Sequence, residues 1–167
     1  LKKMCANIYT YEPLNMDKDF NLKCKLYNEL FKLKKPTLNI PEIILKDNLL
    51  NSVKIHFQNI ENKRTPDGMN EEFGLAVRLI ESLYKFYFNQ NEIDAGESLY
   101  IIIYCIILIV PKRFVFNINF TQFFLSQSEN TGNIGYNMTQ ADSAINYIKE
   151  RVITVASGLS GVMSLPE

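Results

Sequence analysis

The chain has 167 residues, with 18 basic side chains against 18 acidic ones. This length suits one compact domain that buries about two-thirds of the surface its unfolded form exposes, so that no disulfide or metal is needed to stabilise it. A formal net charge of zero offers no basic surface to a phosphate backbone, so we expect no nucleic-acid partner.

The cysteines and the histidine limit the chemistry further. Cys5, Cys24 and Cys105 are odd in number and form no CxxC pair, and His56 is the only histidine. Neither a disulfide framework nor a zinc ligand set follows from them, so we expect no metal site, no cofactor and a reducing, cytoplasmic location. The chain opens on Leu1 without a charged n-region or a cleavage site, which predicts a fragment of a longer protein.

Hydrophobic periodicity predicts an all-α fold of about six helices, layered around a buried central helix. Apolar residues at three- and four-residue spacing predict the first helix over 17–33 and the second over about 50–60. A polar break at 63–68 separates these from a third stripe that runs from 73 to 87. No segment alternates with period two for long enough to predict a strand.

The central helix is predicted from residues 99–110, which are apolar throughout and end at Pro111. A membrane span needs about 20 such residues, so this shorter run predicts a buried helix of a water-soluble domain. The fifth helix is predicted over 117–125, a polar loop over 126–133, and the sixth helix from near Thr139.

The two ends of the chain lack helical periodicity. Residues 1–16 are predicted to be a linker or docking segment, and 156–167, rich in Gly and Ser, a flexible C-terminal segment. The helical domain is therefore predicted over 17–155.

Several short motifs follow one another in a fixed order. They are Leu38-Asn39-Ile40-Pro41, Lys63-Arg64-Thr65-Pro66, Ala95-x-Glu97, Pro111, Asn117-Ile118 and Gly135-Tyr136-x-x-Thr139. With this order and spacing, residues 26–148 resemble the vacuolar protein sorting 9 domain.

The resemblance implies an all-α module that promotes nucleotide exchange on Rab small GTPases of the early-endosomal group, in endocytic vesicle trafficking. The implied partner is a Rab GTPase in its GDP-bound or nucleotide-free form. Because no transmembrane segment is predicted, any attachment to endosomal membranes is expected to be peripheral, through regions outside this chain.

In the family, an acidic side chain at the start of the central helix inserts toward the nucleotide phosphates. It competes for the phosphate-binding lysine of the GTPase and disfavours magnesium, which lowers nucleotide affinity. The family pattern is Ala-Asp-acidic, and the inserting aspartate falls at Gly96 here. Either Glu97 or Asp94 could supply the carboxylate instead. The alternatives are an adaptor domain that binds the GTPase without catalysing exchange, and a helical scaffold that has lost both activities.

The same residues allow a purely structural interpretation. Asp94-x-x-Glu97 is a capping-box pattern, in which Asp94 accepts from a backbone N–H of the first turn and Glu97 reaches back. Negative charge at a helix start also suits the helix dipole. Thr139 is followed three residues later by Asp142, which predicts that Thr139 caps the sixth helix.

Tyr136 matches the family tyrosine that contacts the switch region of the GTPase, and Gly135 would allow a sharp reversal that points its ring outward. The alternative is a half-buried core tyrosine. The resemblance also implies an apolar groove between the central and sixth helices, near Gly96 and Thr139. The expected rim residues of this groove are Tyr100, Tyr104, Ile134 and Met138, and the alternative for each is ordinary core packing. Tyr100 stands where the family has proline.

Conventional enzyme classes find no support. The lone His56 gives no Ser-His-Asp or Cys-His set, and no glycine-rich phosphate loop follows a strand. If the domain is a catalyst, we expect it to act on nucleotide exchange in a GTPase rather than on a covalent bond.

Overall fold

The structure is a computed structural model that describes residues 15–33, 38–90, 92–125 and 132–160, except the side chains of 33 and 152–160. No strand occurs in these ranges, so the predicted all-α class is confirmed. The described residues form seven helices, which are α1 (Asn15–Leu33), α2 (Glu42–Leu45), α3 (Leu49–Asn59), α4 (Pro66–Phe88), α5 (Ala95–Ile109), α6 (Phe114–Leu125) and α7 (Asn133–Ser160). A 3-10 turn over Ile60–Asn62 follows α3.

Helix α5 is the buried central helix that the sequence predicts. It packs against α1, α3, α4 and α7, which lie around it. Because neighbours cover it on several sides, α5 is apolar nearly all round. Its fully buried apolar side chains are Ile101, Ile102, Ile103, Cys105, Ile106 and Ile107, and Ser98 is buried with them. None of the described helices combines the length and the hydropathy of a membrane crossing.

The break after α5 also follows the prediction. Val110 adopts a left-handed conformation with φ of 47°, and its N–H donates to the carbonyl of Ile106. Pro111 then prevents the helix from continuing. By contrast, α4 begins inside the predicted polar break, because Thr65 accepts from Gly68 N–H at 3.2 Å and Pro66 takes the first helical position.

Helix α6 begins at Phe114, one turn before the prediction. Asp17, on α1, accepts from the backbone N–H of Val115 at 2.9 Å and of Phe116 at 3.3 Å. It therefore caps α6 from a position 98 residues away in the chain. Burial raises the pKa of Asp17 above its usual range, although these two N–H groups oppose that shift.

The prediction that the sixth helix starts near Thr139 is wrong, because α7 begins at Asn133 and already contains Gly135 and Tyr136. Thr139 does not cap it: its hydroxyl donates to the carbonyl of Gly135 at 2.8 Å. The helix continues past residue 155 to Ser160. Residues 1–14 of the predicted N-terminal segment and 126–131 of the predicted loop lie outside the described residues.

A buried carboxylate joins α3, the turn after it and α4. Glu72 is 7% exposed, and its oxygens lie 2.7 Å from His56 Nδ1 and 3.0 Å from Lys63 Nζ. Asn59 Nδ2 donates to the same carboxylate at 3.5 Å. Burial alone would raise the pKa of Glu72, but these donors outweigh it and hold the pKa below its usual value. The single histidine therefore has a structural partner.

Replacing Glu72 by glutamine tests this cluster. We expect Glu72→Gln to lower the free energy of unfolding at pH 7 by about 1–3 kcal/mol, because buried donors lose an ionised acceptor. Since the folded-state pKa is lowered, this contribution is present above the ordinary value of 4.5 and is lost as pH falls through the folded value. Urea unfolding should therefore show the difference from wild type shrinking toward pH 3. A difference independent of pH would contradict this, and the exposed Glu150→Gln serves as control.

Candidate functional site

The start of α5 is held by Asp94. This residue is the N-cap, and its Oδ1 accepts from Gly96 N–H at 2.7 Å. Its own carbonyl accepts from Ser98 N–H at 3.1 Å. The cap predicted for Asp94 is therefore confirmed, whereas no bond from Glu97 back to Asp94 N–H forms among the described residues. Asp94 is exposed, so its carboxylate is available to a partner.

Gly96 leaves a space that this carboxylate borders. A Cβ added to Gly96 would lie 3.0 Å from Asp94 Oδ1 and would meet no other atom outside its own chain neighbours and helix backbone within 4 Å. A side chain at position 96 would therefore grow directly beside the Asp94 carboxylate. The structure thus brings an acidic group to the place where a side chain at 96 would start.

Glu97 lies on another side of α5. It is half-buried, and its charge acts on the phenol of Tyr84, a residue of α4 that is 2% exposed. Burial, with a smaller contribution from the Glu97 charge, raises the pKa of Tyr84 to about 12. The two acidic candidates are therefore separated: Asp94 faces solvent and Glu97 lies toward α4.

Tyr136 and the start of α5 share one contact. Tyr136 lies in the first turn of α7 and is 38% exposed, so it is not a core residue. Gln140, one turn further on and 5% exposed, places its Nε2 3.2 Å from Tyr136 Oη and 3.3 Å from the carbonyl oxygen of Ala95. A single nitrogen atom thus links the tyrosine to the first residue of α5.

Sequence reasoning did not select Gln140. The available signal was its four-residue spacing from Tyr136, which places both side chains on one helix face. A helix that began only at Thr139 would leave Tyr136 in a turn, so the predicted boundary did not place Tyr136 and Gln140 on one helix face.

The predicted α7 residues border an open cleft of about 580 Å³ between α6 and α7. Its α7 wall contains Ile134, Tyr136, Met138 and Thr139, and its α6 wall contains Gln122 and Leu125. Asp142 also borders the cleft, where it accepts from Gln122 Nε2 at 2.6 Å. Met138 is buried, so it forms the floor of the cleft rather than a rim.

Two other predicted groove residues lie elsewhere. Tyr100 packs edge-on against Tyr147 of α7, with ring centroids 6.3 Å apart, and the Arg151 guanidinium lies over the Tyr147 ring. Tyr104 packs against Phe31 of α1 at 5.9 Å. The structure therefore fills part of the space between α5 and α7 with side chains and leaves the open cleft between α6 and α7.

The fold and the site together define a small all-α domain that presents an acidic helix start beside an exposed tyrosine, an arrangement suited to contact with another protein. The family model of the vacuolar sorting protein 9 (VPS9) domain matches residues 50–151, more than half of the chain. The chain belongs to this family, which comprises catalytic domains of Rab guanine nucleotide exchange factors, and VPS9 domains interact with Rab GTPases. No curated protein matches the chain significantly.

The geometry at Asp94 predicts how its substitutions affect stability. Asp94→Ala removes the acceptor for Gly96 N–H, so we expect the free energy of unfolding to fall by about 1 kcal/mol. Asp94→Asn and Asp94→Ser keep a capping oxygen and should change the free energy of unfolding by only a few tenths of a kcal/mol. Urea or thermal unfolding at neutral pH distinguishes them, with Glu92→Gln as a charge control outside the cap. Equal stability of the Ala and Asn variants would contradict the cap.

Proposed function

We propose that this domain binds a Rab small GTPase of the early-endosomal group and accelerates release of its GDP, in endocytic vesicle trafficking. The observation that carries the proposal is the exposed Asp94 carboxylate, fixed by Gly96 N–H at the start of α5. It stands beside the position of the inserting aspartate in the family. The domain acts in the cytoplasm and reaches endosomal membranes through regions outside this chain.

Electrostatics supports this role for Asp94. A carboxylate and an ammonium about 4 Å apart attract each other by about 4 kcal/mol at the effective dielectric constant near a protein surface. An inserted carboxylate therefore offers the phosphate-binding lysine of the GTPase another partner, and it repels the β-phosphate. Both effects weaken GDP binding, and neither needs a cofactor in the domain.

The hydrogen bond between Asp94 and the Gly96 N–H also disfavours nucleotide binding. A free helix N-terminus attracts phosphate through its N–H groups and its dipole, which would favour the bound nucleotide. Here the Gly96 N–H already donates to a carboxylate. The start of α5 consequently presents negative charge in place of one of its phosphate-binding donors.

Tyr136 is the proposed contact for the switch region. The residue is 38% exposed and borders the α6–α7 cleft together with Ile134 and Thr139. A tyrosine at a partly wet interface contributes apolar area and a hydroxyl together. Glu97 is the second acidic candidate, with its approach restricted by half-burial toward α4.

One observation favours a second candidate function. Gly96 has no side chain at the position where the family inserts aspartate, so the domain could bind a Rab GTPase and leave its nucleotide in place. This exchange-dead adaptor and the exchange factor share Tyr136 and the cleft. They differ only in whether a carboxylate reaches the phosphate site.

Charge removal distinguishes the two acidic candidates. We expect Asp94→Asn, which retains the cap, to slow release of a fluorescent GDP analogue by about tenfold or more, because a charge-assisted bond is lost. Glu97→Gln should have a smaller effect, and Glu92→Gln should have none. The measurement uses a panel of Rab GTPases at several domain concentrations. Unchanged release with Asp94→Asn would remove Asp94 from the mechanism, and binding without acceleration by wild type would establish the adaptor.

Moving the carboxylate tests the register. Asp94→Ser keeps a capping oxygen without charge, and we expect Gly96→Asp in that background to restore GDP release, because position 96 then carries the acid. In the wild-type background, Gly96→Asp should gain less, since its Cβ would lie 3.0 Å from the Asp94 carboxylate. A folded double variant that stays as slow as Asp94→Ser would show that the two positions are not equivalent.

A further inference from the structure

Gln140 is a buried polar residue whose presence packing alone does not explain. Its Oε1 has no hydrogen-bond partner in the described part of the chain, while its Nε2 contacts two oxygens. An unpaired buried oxygen is unfavourable, and an apolar side chain of similar size would avoid it. The glutamine is therefore better explained by what its nitrogen does.

The chemistry of the partners fixes the direction of both bonds. The Ala95 carbonyl oxygen can only accept, so the amide nitrogen and not the amide oxygen must face it. The second N–H of the same nitrogen then donates to Tyr136 Oη. Because the phenol oxygen accepts this bond, its own hydrogen does not point at Gln140 and is free to donate away from the domain.

We propose that Gln140 is a positioning residue that directs the Tyr136 hydroxyl hydrogen toward the bound GTPase and ties α7 to the acidic start of α5. This inference rests on the proposed function. Through one nitrogen, the tyrosine that contacts the partner and the helix start that carries Asp94 keep a fixed separation. Acceptance of the amide bond also strengthens the hydroxyl as a donor, because hydrogen bonds in a chain polarise one another.

The inference defines the GTPase chemistry at this point. A hydroxyl that already accepts a bond and donates outward selects an acceptor on the partner, such as a backbone carbonyl or a carboxylate of the switch region. An isosteric Gln140→Glu would reverse the arrangement. The carboxylate has no hydrogen for Ala95 and accepts from Tyr136, which turns the phenol hydrogen inward.

A double-mutant cycle in the whole domain tests the role. We expect Gln140→Leu and Tyr136→Phe each to slow release of the fluorescent GDP analogue by about 3- to 10-fold, and the double variant to be no slower than the slower single one. Gln140→Glu should slow release at least as much as Gln140→Leu. If the wild-type domain binds a GTPase without accelerating GDP release, the same double-mutant cycle is measured on the affinity of the domain for the nucleotide-free GTPase.

The matched control lies one turn earlier on the same helix. Asn137 is 6% exposed, and its side chain donates to Asn70 Oδ1 at 3.2 Å. Among the described residues it makes no side-chain hydrogen bond to Tyr136 or to α5. Asn137→Leu should destabilise the fold yet retain activity per folded molecule, with no coupling to Tyr136→Phe. The 13Cζ NMR resonance of Tyr136 should move in Gln140→Leu and stay in place in Asn137→Leu.

Two outcomes overturn the inference while leaving the proposed function intact. They are additive losses in the Gln140 and Tyr136 cycle of an active domain, and a Tyr136 resonance that Gln140→Leu does not move. A wild-type domain that neither binds nor stimulates any Rab GTPase would instead overturn the proposed function, and the partner-directed role of Gln140 with it.

Discussion

The rest of the structure depends on the burial of α5. A helix that is apolar nearly all round is stable in water only when other helices cover it, and α1, α3, α4 and α7 do so. Most of its length is thereby buried, whereas Asp94 and Ala95 at its start are exposed. One end stops at Val110 and Pro111, and the other emerges at the exposed Asp94. The proposed function accordingly uses the first turn of the central helix.

At that first turn, structure and proposed function use the same atoms. The Asp94 carboxylate satisfies a backbone donor, which fixes its position before any partner arrives. A group that is already ordered loses little further entropy on binding, so a capping carboxylate is well suited to contact a GTPase. Gln140 has a similar double role on α7. Its nitrogen bonds both to the phenol oxygen of Tyr136 and to the Ala95 carbonyl, the first of α5. The site is thus assembled by hydrogen bonds that also hold the fold.

The sequence predicts the features of this fold that arise from local patterns. The apolar run and Pro111 predict α5, and the Asp94 pattern predicts its cap, because neighbouring residues determine both. The start of α6 was misplaced because its cap, Asp17, comes from a position 98 residues away. The start of α7 was misplaced because Asn133 and Gly135 resemble a turn when read locally. The contact of Gln140 with Ala95 depends on how α5 and α7 pack, which spacing along one helix does not reveal.

In the proposed register, Gly96 stands where the family carries aspartate, and the geometry at Asp94 offers an explanation for the glycine. If position 96 carried aspartate, its Cβ would approach the capping oxygen of Asp94 to 3.0 Å, and two carboxylates would then compete for one helix start. The carboxyl group on that Cβ would extend from a point next to the Asp94 carboxylate, and two carboxylates held close together disfavour each other's ionised form. With glycine at 96, the acid at 94 bonds to the backbone N–H and remains exposed. Glycine at 96 therefore fits beside aspartate at 94 better than a second acid would. Even without a carboxylate at position 96, the start of α5 remains acidic because Asp94 carries one.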